Sequence, residues 1–204
     1  MSGIFVTFEG IEGSGKSTQA NLFIEWLKDK GRDALFLREP GSTKLGEKIR
    51  DALLFSDSSE VSDSAELLLF LAARAQIVEE KVKPALDKDR IVVLDRYSDS
   101  TFAYQGYAGI IPVATIREMN YFATSGLTPD ITFILDVDIE EGLKRAGCKD
   151  RIENKGLDFH SKVRDGYYRL AQDNSNRIFI VKVQDSLQGT QSEIRRLFSS
   201  KFVI

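Results

Sequence analysis

Short runs of apolar and β-branched residues alternate with longer helical patterns along the chain, and this alternation limits the fold more than any other feature. Four of these runs stand out: Ile4–Glu9, Ile91–Asp95, Ile131–Asp136 and Ile178–Lys182. A fifth run, Ala34–Arg38, is weaker. Apolar runs without polar alternation are typical of strands buried on both faces. Strands separated by helices predict an α/β fold in three layers, with a five-stranded parallel sheet between helices.

Helical patterns fill the intervals between these runs. The predicted helices cover residues 16–30, 64–88, 112–124, 139–145, 158–174 and 188–201. No linker rich in Pro, Gly or Ser divides the chain, so we expect its 204 residues to form one domain. Ligands of such sheets bind beyond the carboxyl ends of the strands. Polar clusters mark that edge at residues 9–18, 38–43, 95–100 and 136–138.

Composition gives no sign of a nucleic-acid or membrane partner. The formal net charge is −3, so we expect no general attraction to either surface. No apolar run reaches the length of a membrane span, and the N-terminus carries no basic and apolar signal segment. The single cysteine, Cys148, cannot form an internal disulfide, which fits a reducing compartment. We therefore expect a cytoplasmic protein, and the absence of a His and Cys cluster argues against zinc.

A glycine-rich segment between the first predicted strand and the first predicted helix matches the phosphate-binding P-loop pattern. Its residues are Gly10, Ile11, Glu12, Gly13, Ser14, Gly15, Lys16, Ser17 and Thr18. Glycines let backbone N–H groups turn toward phosphate oxygens, and the helix N-terminus adds partial positive charge. We expect Lys16 to reach the β- and γ-phosphates of ATP and Ser17 to bind Mg²⁺. The strand before the loop and the helix after it supply the context that this motif requires.

Two common classes of P-loop protein lack support in the sequence. A GTPase switch protein normally carries an Asn-Lys-x-Asp guanine reader, whereas Asn154-Lys155 is followed here by Gly-Leu. A motor or transport ATPase usually has a strand that ends in Asp-Glu, whereas the equivalent strand here continues from Asp95 to Arg96. An arginine in place of the water-activating glutamate suits transfer to an acceptor that bears a phosphate.

Arginines supply the second indication of an anionic acceptor. Arg38 and Arg96 each follow a predicted strand at the ligand edge, and Arg50 and Arg74 lie between sheet elements. A guanidinium group binds phosphate through two parallel hydrogen bonds. The P-loop has no basic residue at its variable positions, so the charge that stabilises the transition state must come from elsewhere. The basic segment 145–157 is expected to be a lid that brings such cations over ATP.

Several motifs together resemble those of bacterial thymidylate kinases. They are FEGIEGSGKST at 8–18, REPG at 38–41, LFLAAR at 69–74, DRY at 95–97, AYQG at 103–106, TPD at 128–130, RIE at 151–153 and DF at 158–159. The P-loop alone is shared by many families, but the REPG motif together with the DRY and AYQG motifs is far more specific. The resemblance covers nearly the whole chain and implies transfer of the ATP γ-phosphate to dTMP, which gives dTDP and ADP.

The resemblance also implies a role for individual residues. Phe70 would stack on thymine, Arg74 would hydrogen-bond the base, and Thr101 and Gln105 would read its polar edge. Arg38, Arg50 and Arg96 would hold the dTMP phosphate. Glu12 would accept the sugar 3′-OH, and Tyr104 would disfavour ribose. Glu39 and Asp95 would organise Mg²⁺ through water. Lys16 and Arg96 would be catalytic cations, and Arg145 and Arg151 would be the candidates for a catalytic lid arginine.

The sequence departs from the family pattern at two places. Ser42 stands where the family usually has a second glycine after Arg-Glu-Pro-Gly, which affects the loop beside the acceptor phosphate. The lid aligns poorly between Ala146 and Asp150, so the catalytic arginine stays open between Arg145 and Arg151. Members of the family are often homodimers, and the apolar helix 64–88 is a candidate interface. Two other functions also stay open: a different nucleoside monophosphate or deoxynucleoside kinase, and a non-catalytic P-loop protein.

Overall fold

The computed structural model describes residues 3–55, 61–147, 152 and 155–203. In that part of the chain, one sheet has the strand order β2–β3–β1–β4–β5, and all neighbouring strands are parallel. The strands are β1 (Ile4–Glu9), β2 (Ala34–Arg38), β3 (Ile91–Asp95), β4 (Ile131–Asp136) and β5 (Ile178–Lys182). The predicted five-stranded parallel sheet is therefore confirmed, with the predicted strand bounds.

The helices flank this sheet. They are α1 (Lys16–Asp29), α2 (Lys44–Phe55), α3 (Asp63–Ile77), α4 (Lys83–Leu86), α5 (Ser98–Thr101), α6 (Val113–Thr124), α7 (Ile139–Ala146), α8 (Leu157–Asp173) and α9 (Leu187–Lys201). Two π-helical segments, Val78–Val82 and Phe102–Tyr107, continue α3 into α4 and extend α5. In the described residues, no helix combines the length and apolar character that a bilayer span requires.

The helix predictions differ from the structure in two respects. The predicted helix 64–88 is a helical run whose middle turn is π-helical, a backbone change that apolar periodicity does not reveal. The helix α2 and the helical stretch 98–107 were not predicted. The second stretch contains FAYQGY, whose aromatic residues and glycine do not favour a helix in isolation. Packing against α8 and α6 decides its conformation instead.

Apolar side chains pack against both faces of the sheet. On one face, α1 and α9 place Phe23 and Phe198 against Phe8 and Phe133, with the rings of Phe8 and Phe133 centred 5.4 Å apart. On the other face, residues around Ile77 and the first π-helical segment cover alternate positions of β1 and β3. Both faces of the strands are buried, which explains their nearly continuous apolar sequence.

The register of the strands brings their carboxyl ends to one edge. Phe8 pairs with Asp95, Arg38 also pairs with Asp95, and Asp136 pairs with Lys182. The loops that follow β1, β2 and β3 therefore leave the sheet side by side. Polar clusters that are far apart in the sequence meet there, as expected for this class of sheet.

A buried polar chain crosses the interior beneath this edge. Arg177 donates to both carboxylate oxygens of Asp99 at 2.8 Å, and Asp99 is fully buried. The Thr132 hydroxyl lies 3.3 Å from Asp99 and 2.7 Å from the Thr7 hydroxyl. This chain ties the segment after β3 to the segment that enters β5.

Arg177→Met should destabilise the fold, because it leaves the Asp99 carboxylate charged and unpaired in the interior. The expected loss in the free energy of unfolding is about 3 kcal/mol or more, measured by urea denaturation. Arg196→Met is the matched control, since Arg196 pairs with Glu193 at the surface and should change the stability very little. Equal losses in the two variants would contradict a stabilising role for the buried pair.

Candidate active site

The P-loop joins β1 to α1 with a backbone that requires glycine. Gly13 has a φ of 66°, and a Cβ atom there would lie 1.8 Å from the carbonyl oxygen of Gly142. Gly10 has a φ of 139°, and its Cβ would lie 2.6 Å from the carbonyl oxygen of Leu135. Any larger residue would therefore push the loop away from α7 and β4. Close packing of the loop sets the position of the following helix N-terminus.

Lys16 is buried at the start of α1. Its Nζ donates to the carbonyl oxygen of Ile11 at 2.7 Å and to Ser14 Oγ at 3.4 Å. Burial, together with the nearby Arg96, lowers the pKa of Lys16 to about 8, although Asp95, Glu12 and Glu9 act in the opposite direction. The ammonium group is therefore poorly compensated in this structure, and a phosphate anion would supply the missing charge.

Two oxygen-bearing side chains meet beside Lys16. Ser17 Oγ donates to Asp95 Oδ2, and Asp95 is the last residue of β3. Among the described residues, no group of three or more His, Cys, Asp or Glu side chains could hold a metal ion. A hydroxyl and one carboxylate nevertheless match the needs of Mg²⁺, which takes few protein ligands and completes its shell with water and phosphate oxygens.

A cavity of about 270 Å³ lies at the carboxyl edge of the sheet. Every residue predicted to bind the acceptor lines it: Glu12, Arg38, Arg50, Phe70, Arg74, Arg96, Thr101, Tyr104 and Gln105. Gly13, Lys16, Ser17, Glu39 and Asp95 line it as well. The structure thus brings together the side chains that the sequence assigns to the acceptor, although they come from five separate segments.

Arg96 lies between the P-loop and this cavity. It has a φ of 66°, which is unusual for a residue with a side chain. Its guanidinium donates to the carbonyl oxygen of Gly10 at 3.1 Å, to Ser100 Oγ at 3.2 Å and to Glu12 Oε1 at 3.0 Å. It also lies over the Tyr104 ring, 5.1 Å from the ring centre. The side chain is therefore held in place before any substrate binds.

The backbone around Arg96 is fixed by a buried carboxylate that the sequence analysis did not single out. Glu9 accepts hydrogen bonds from the backbone N–H of Tyr97, from Ser100 Oγ and from Tyr167 Oη. Burial and the Asp99 charge raise the pKa of Glu9 to about 7. These donors stabilise the turn that holds Arg96 in its left-handed conformation.

Glu12 faces the cavity from within the P-loop. Tyr104 Oη lies 2.7 and 2.8 Å from its two carboxylate oxygens, and His160 Nδ1 lies 3.2 Å from Oε2. Burial alone would raise the pKa of Glu12, but Arg96, His160 and Lys16 hold it well below its usual range. Glu12 is thus a carboxylate in this site, able to accept a hydrogen bond from a ligand hydroxyl. No sequence motif points to this role of His160.

Arg74 is almost fully buried at the inner end of the cavity. Its terminal nitrogens donate to Thr101 Oγ1 at 2.8 Å, to Asn120 Oδ1 at 2.5 Å and to the Tyr97 carbonyl oxygen at 3.1 Å. It also forms a buried ion pair with Glu39. Its Nε is also buried and donates to no described residue, so this N–H group is the one donor of Arg74 without a partner in the described part of the chain.

The loop after β2 accommodates the unusual Ser42. This residue has a φ of 62°, the left-handed conformation that a glycine would adopt without strain. Its Oγ accepts a hydrogen bond from the backbone N–H of Arg38 at 2.9 Å, and its own N–H donates to Glu47 Oε1. Arg38 and Arg50 are anchored in the same loop region, by Glu47 and by the Pro40 carbonyl oxygen. Local hydrogen bonds therefore compensate for the side chain at this position.

A second cavity, of about 490 Å³, lies on the other side of the P-loop. P-loop residues line it together with Gln19, Arg145, Val183, Gln184, Asp185, Leu187 and Thr190. The segment after β5 was not predicted to belong to the site, although it leaves the same carboxyl edge that marked the other polar clusters. Of the two proposed lid arginines, Arg145 is exposed and pairs with Glu141. Arg151 lies outside the described residues, as do positions 148–150, 153 and 154 of the predicted lid.

The two cavities and the loop between them define a class of protein. A phosphate-binding loop with a buried lysine adjoins a cavity that contains a row of arginines and a fixed carboxylate. Such a site suits a P-loop phosphotransferase whose acceptor carries its own anionic phosphate.

Comparisons with known proteins identify the family. The family model for thymidylate kinase matches residues 8–194, and the chain belongs to that family. It is 42% identical over 196 residues to the thymidylate kinase of Thermoanaerobacter sp. (strain X514), covering 95% of this chain and 96% of that protein. It is 46% identical over 183 residues to that of Caldanaerobacter subterraneus subsp. tengcongensis, covering 89% and 88%. A crystal structure of thymidylate kinase from Ehrlichia chaffeensis matches with a TM-score of 0.82 and 33% identity, covering 97% and 100%.

The family fixes the reaction. The protein transfers the γ-phosphate of ATP to dTMP and gives dTDP and ADP. The alternatives left open by the sequence, another nucleotide or nucleoside kinase or a non-catalytic P-loop protein, are not favoured by these matches.

The affinity for ATP should fall as the pH rises through about 8, because the free protein loses the Lys16 proton there. Bound phosphates favour the protonated form, so binding above that pH must take up a proton. Titration calorimetry should show a roughly tenfold or greater loss of affinity between pH 7 and 9.5. Lys16→Arg, which stays charged throughout, should bind ATP with an affinity that hardly depends on pH in this range. A constant affinity in the unmodified protein would contradict contact between Lys16 and the phosphates.

Proposed function

We propose that the two cavities bind the two substrates of this reaction, ATP in the second cavity and dTMP in the first. The observation that carries the proposal is that Gly13, Lys16 and Ser17 line both cavities. A phosphate chain along the P-loop therefore ends beside the acceptor cavity. The γ-phosphate and the acceptor phosphate can then approach each other without a large movement of the loop.

The acceptor phosphate binds to Arg96, with help from Arg38 and Arg50, which line the same cavity. Arg96 is the best placed of the three, because it contacts the P-loop carbonyl oxygen of Gly10 and is held by Glu12. Glu12 accepts a hydrogen bond from the sugar 3′-OH, and Tyr104 closes the space beside the sugar. The ion pair of Arg96 and Glu12 therefore contacts both the phosphate and the sugar of dTMP, and Glu12 belongs to the loop that binds ATP.

The base binds deeper in the same cavity. Phe70 offers a flat apolar surface for the ring, and base stacking on an aromatic side chain contributes about 1–3 kcal/mol. The unpaired Nε–H of Arg74 donates to a carbonyl oxygen of the base. Thr101 fixes Arg74, and Gln105 meets the polar edge of the ring.

Positioning and charge neutralisation account for the chemistry. The attacking oxygen belongs to a phosphate and is already anionic, so no general base is needed. Lys16 and Arg96 bring two anions together and stabilise the charge that spreads over the transferring group.

Kinetics of Arg145→Ala and Arg151→Ala will decide which lid arginine also stabilises this negative charge. The variant with the larger loss of kcat identifies that arginine.

Mg²⁺ belongs to this proposal as a cofactor held by Ser17 and by Asp95, the latter through water. When bound, it neutralises charge on the β- and γ-phosphates. A contribution from Glu39 through water is less direct, since its carboxylate is paired with Arg74. Isotope or fluorescence titration with Mn²⁺ in place of Mg²⁺ tests the site: Asp95→Asn should weaken metal binding in the presence of ATP.

We also propose a cytoplasmic location, supported by the single cysteine and tested by cell fractionation.

Arg96→Ala tests the acceptor site most directly. It should raise the KM for dTMP about tenfold or more and lower kcat, because the acceptor phosphate loses a charged partner, whereas the KM for ATP should change little. Arg96→Lys should restore part of the activity, since it returns the charge without the planar fork. Arg90→Ala, which removes an arginine paired with Asp33 at the surface, is the control and should leave steady-state kinetics unchanged. A variant that loses ATP binding and keeps normal dTMP binding would contradict the assignment.

We further propose that the protein is a homodimer, with the interface on α3 and α6. These adjacent helices expose Leu68, Tyr121 and Phe122, and Phe122 is 89% exposed. Large apolar side chains on neighbouring helices favour a second copy as the covering partner. Phe122→Asp should shift sedimentation from dimer to monomer at micromolar concentration, whereas Val203→Asp, at an exposed position remote in sequence, should not. A monomeric unmodified protein would refute the proposal.

A further inference from the structure

Glu66 lies behind the acceptor cavity and contacts its base-reading residue. It belongs to the first turn of α3, is 3% exposed and does not line the cavity itself. Gln105 Nε2 donates to Glu66 Oε1 at 2.7 Å. Gln105 lines the cavity and is also buried. Glu66 thus contacts the amide of Gln105 from behind the cavity, where it can determine which end of that amide the ligand meets.

Chemistry fixes the orientation of this amide. An ionised carboxylate has no proton to donate, so only the NH₂ group of Gln105 can hydrogen-bond to it. A reversed amide would place two acceptors together at 2.7 Å. Lys155 Nζ lies 3.9 Å from the same carboxylate oxygen, Glu66 Oε1. The side-chain oxygen of Gln105, Oε1, for which the described residues show no hydrogen-bond donor, is thereby left for the base.

We propose that Glu66 is a specificity-determining residue that acts through Gln105 and selects a base with an N–H donor at its Watson–Crick edge. Thymine and uracil carry such a donor at N3, whereas N3 of cytosine is an acceptor and would face the Gln105 carbonyl oxygen. At position 4 of the base, next to N3, Arg74 offers only hydrogen-bond donors. These donors suit the O4 acceptor of thymine and uracil but not the amino group that cytosine carries there. Gln105, oriented by Glu66, thus presents an acceptor and Arg74 presents a donor, an arrangement that excludes cytosine. The inference rests on the proposed binding of the base in this cavity.

Glu66→Gln tests the idea, because a neutral amide can either donate to or accept from Gln105 and no longer fixes its orientation. The preference for dTMP over dCMP should fall about tenfold, measured as the ratio of kcat/KM values or, if dCMP turns over too slowly, from its inhibition constant against dTMP. The preference for dTMP over dUMP should not change, since both bases carry the N3–H donor. A loss of packing alone would weaken all three nucleotides together and leave both ratios intact.

Two further variants separate the possible failures. Glu79→Gln removes an exposed carboxylate farther along the same helical run and should leave both ratios unchanged. Gln105→Ala should raise the KM for dTMP and reduce the preference over dCMP. If Gln105→Ala leaves the KM and both ratios unchanged, the base does not bind at Gln105, and the proposed acceptor site fails along with the inference. If Gln105→Ala has its expected effect but Glu66→Gln keeps the full preference over dCMP, only the role of Glu66 is overturned.

Discussion

The ion pair between Glu12 and Arg96 joins the two loops on which the rest of the site depends. Glu12 lies in the P-loop after β1, and Arg96 follows β3, the neighbouring strand. Arg96 also binds the Gly10 carbonyl oxygen, so the donor loop and the acceptor loop are fixed relative to each other. This pair is largely removed from water, with 21% of the Arg96 side chain and 8% of the Glu12 side chain exposed. It contributes little net stability, because the cost of removing two charges from water offsets their attraction. Its benefit is geometric: two anionic substrates meet groups that are already in position.

The sheet provides this arrangement through its register. Because β1, β2 and β3 are parallel and in register, Glu9, Arg38 and Asp95 end at one edge. The buried Asp99–Arg177 pair extends the arrangement beneath the site and connects it to β5. Supporting residues such as Glu9, Glu66 and His160 are buried and contact the residues that face substrate. Substrate-facing side chains are therefore held from behind by a layer of polar groups.

Strands and phosphate-binding residues could be predicted from the sequence because their signals are local. The run Ile91–Asp95 is apolar over its whole length, and the glycines around Lys16 have a fixed spacing. The stretch 98–107 could not be predicted, since its helical form depends on packing against α8. The roles of Glu9 and Glu66 were also inaccessible: each acts through partners that are more than 30 residues away in the chain. His160 also gives no local signal, since its partner Glu12 is far away in the chain. The segment after β5 could have been predicted, because ligands of such sheets bind beyond the carboxyl ends of the strands.

The P-loop forms the wall between the two cavities, since Gly13, Lys16 and Ser17 line both of them. ATP and dTMP should therefore bind side by side. The most direct test is the affinity of one molecule in which adenosine and thymidine are joined at their 5′ ends by a chain of phosphates. Calorimetry should show binding at least about a hundredfold tighter than that of ATP alone, because each half raises the local concentration of the other. It should also show that ATP and dTMP each compete with this molecule. Binding no tighter than that of ATP, with dTMP still able to bind alongside it, would contradict the account.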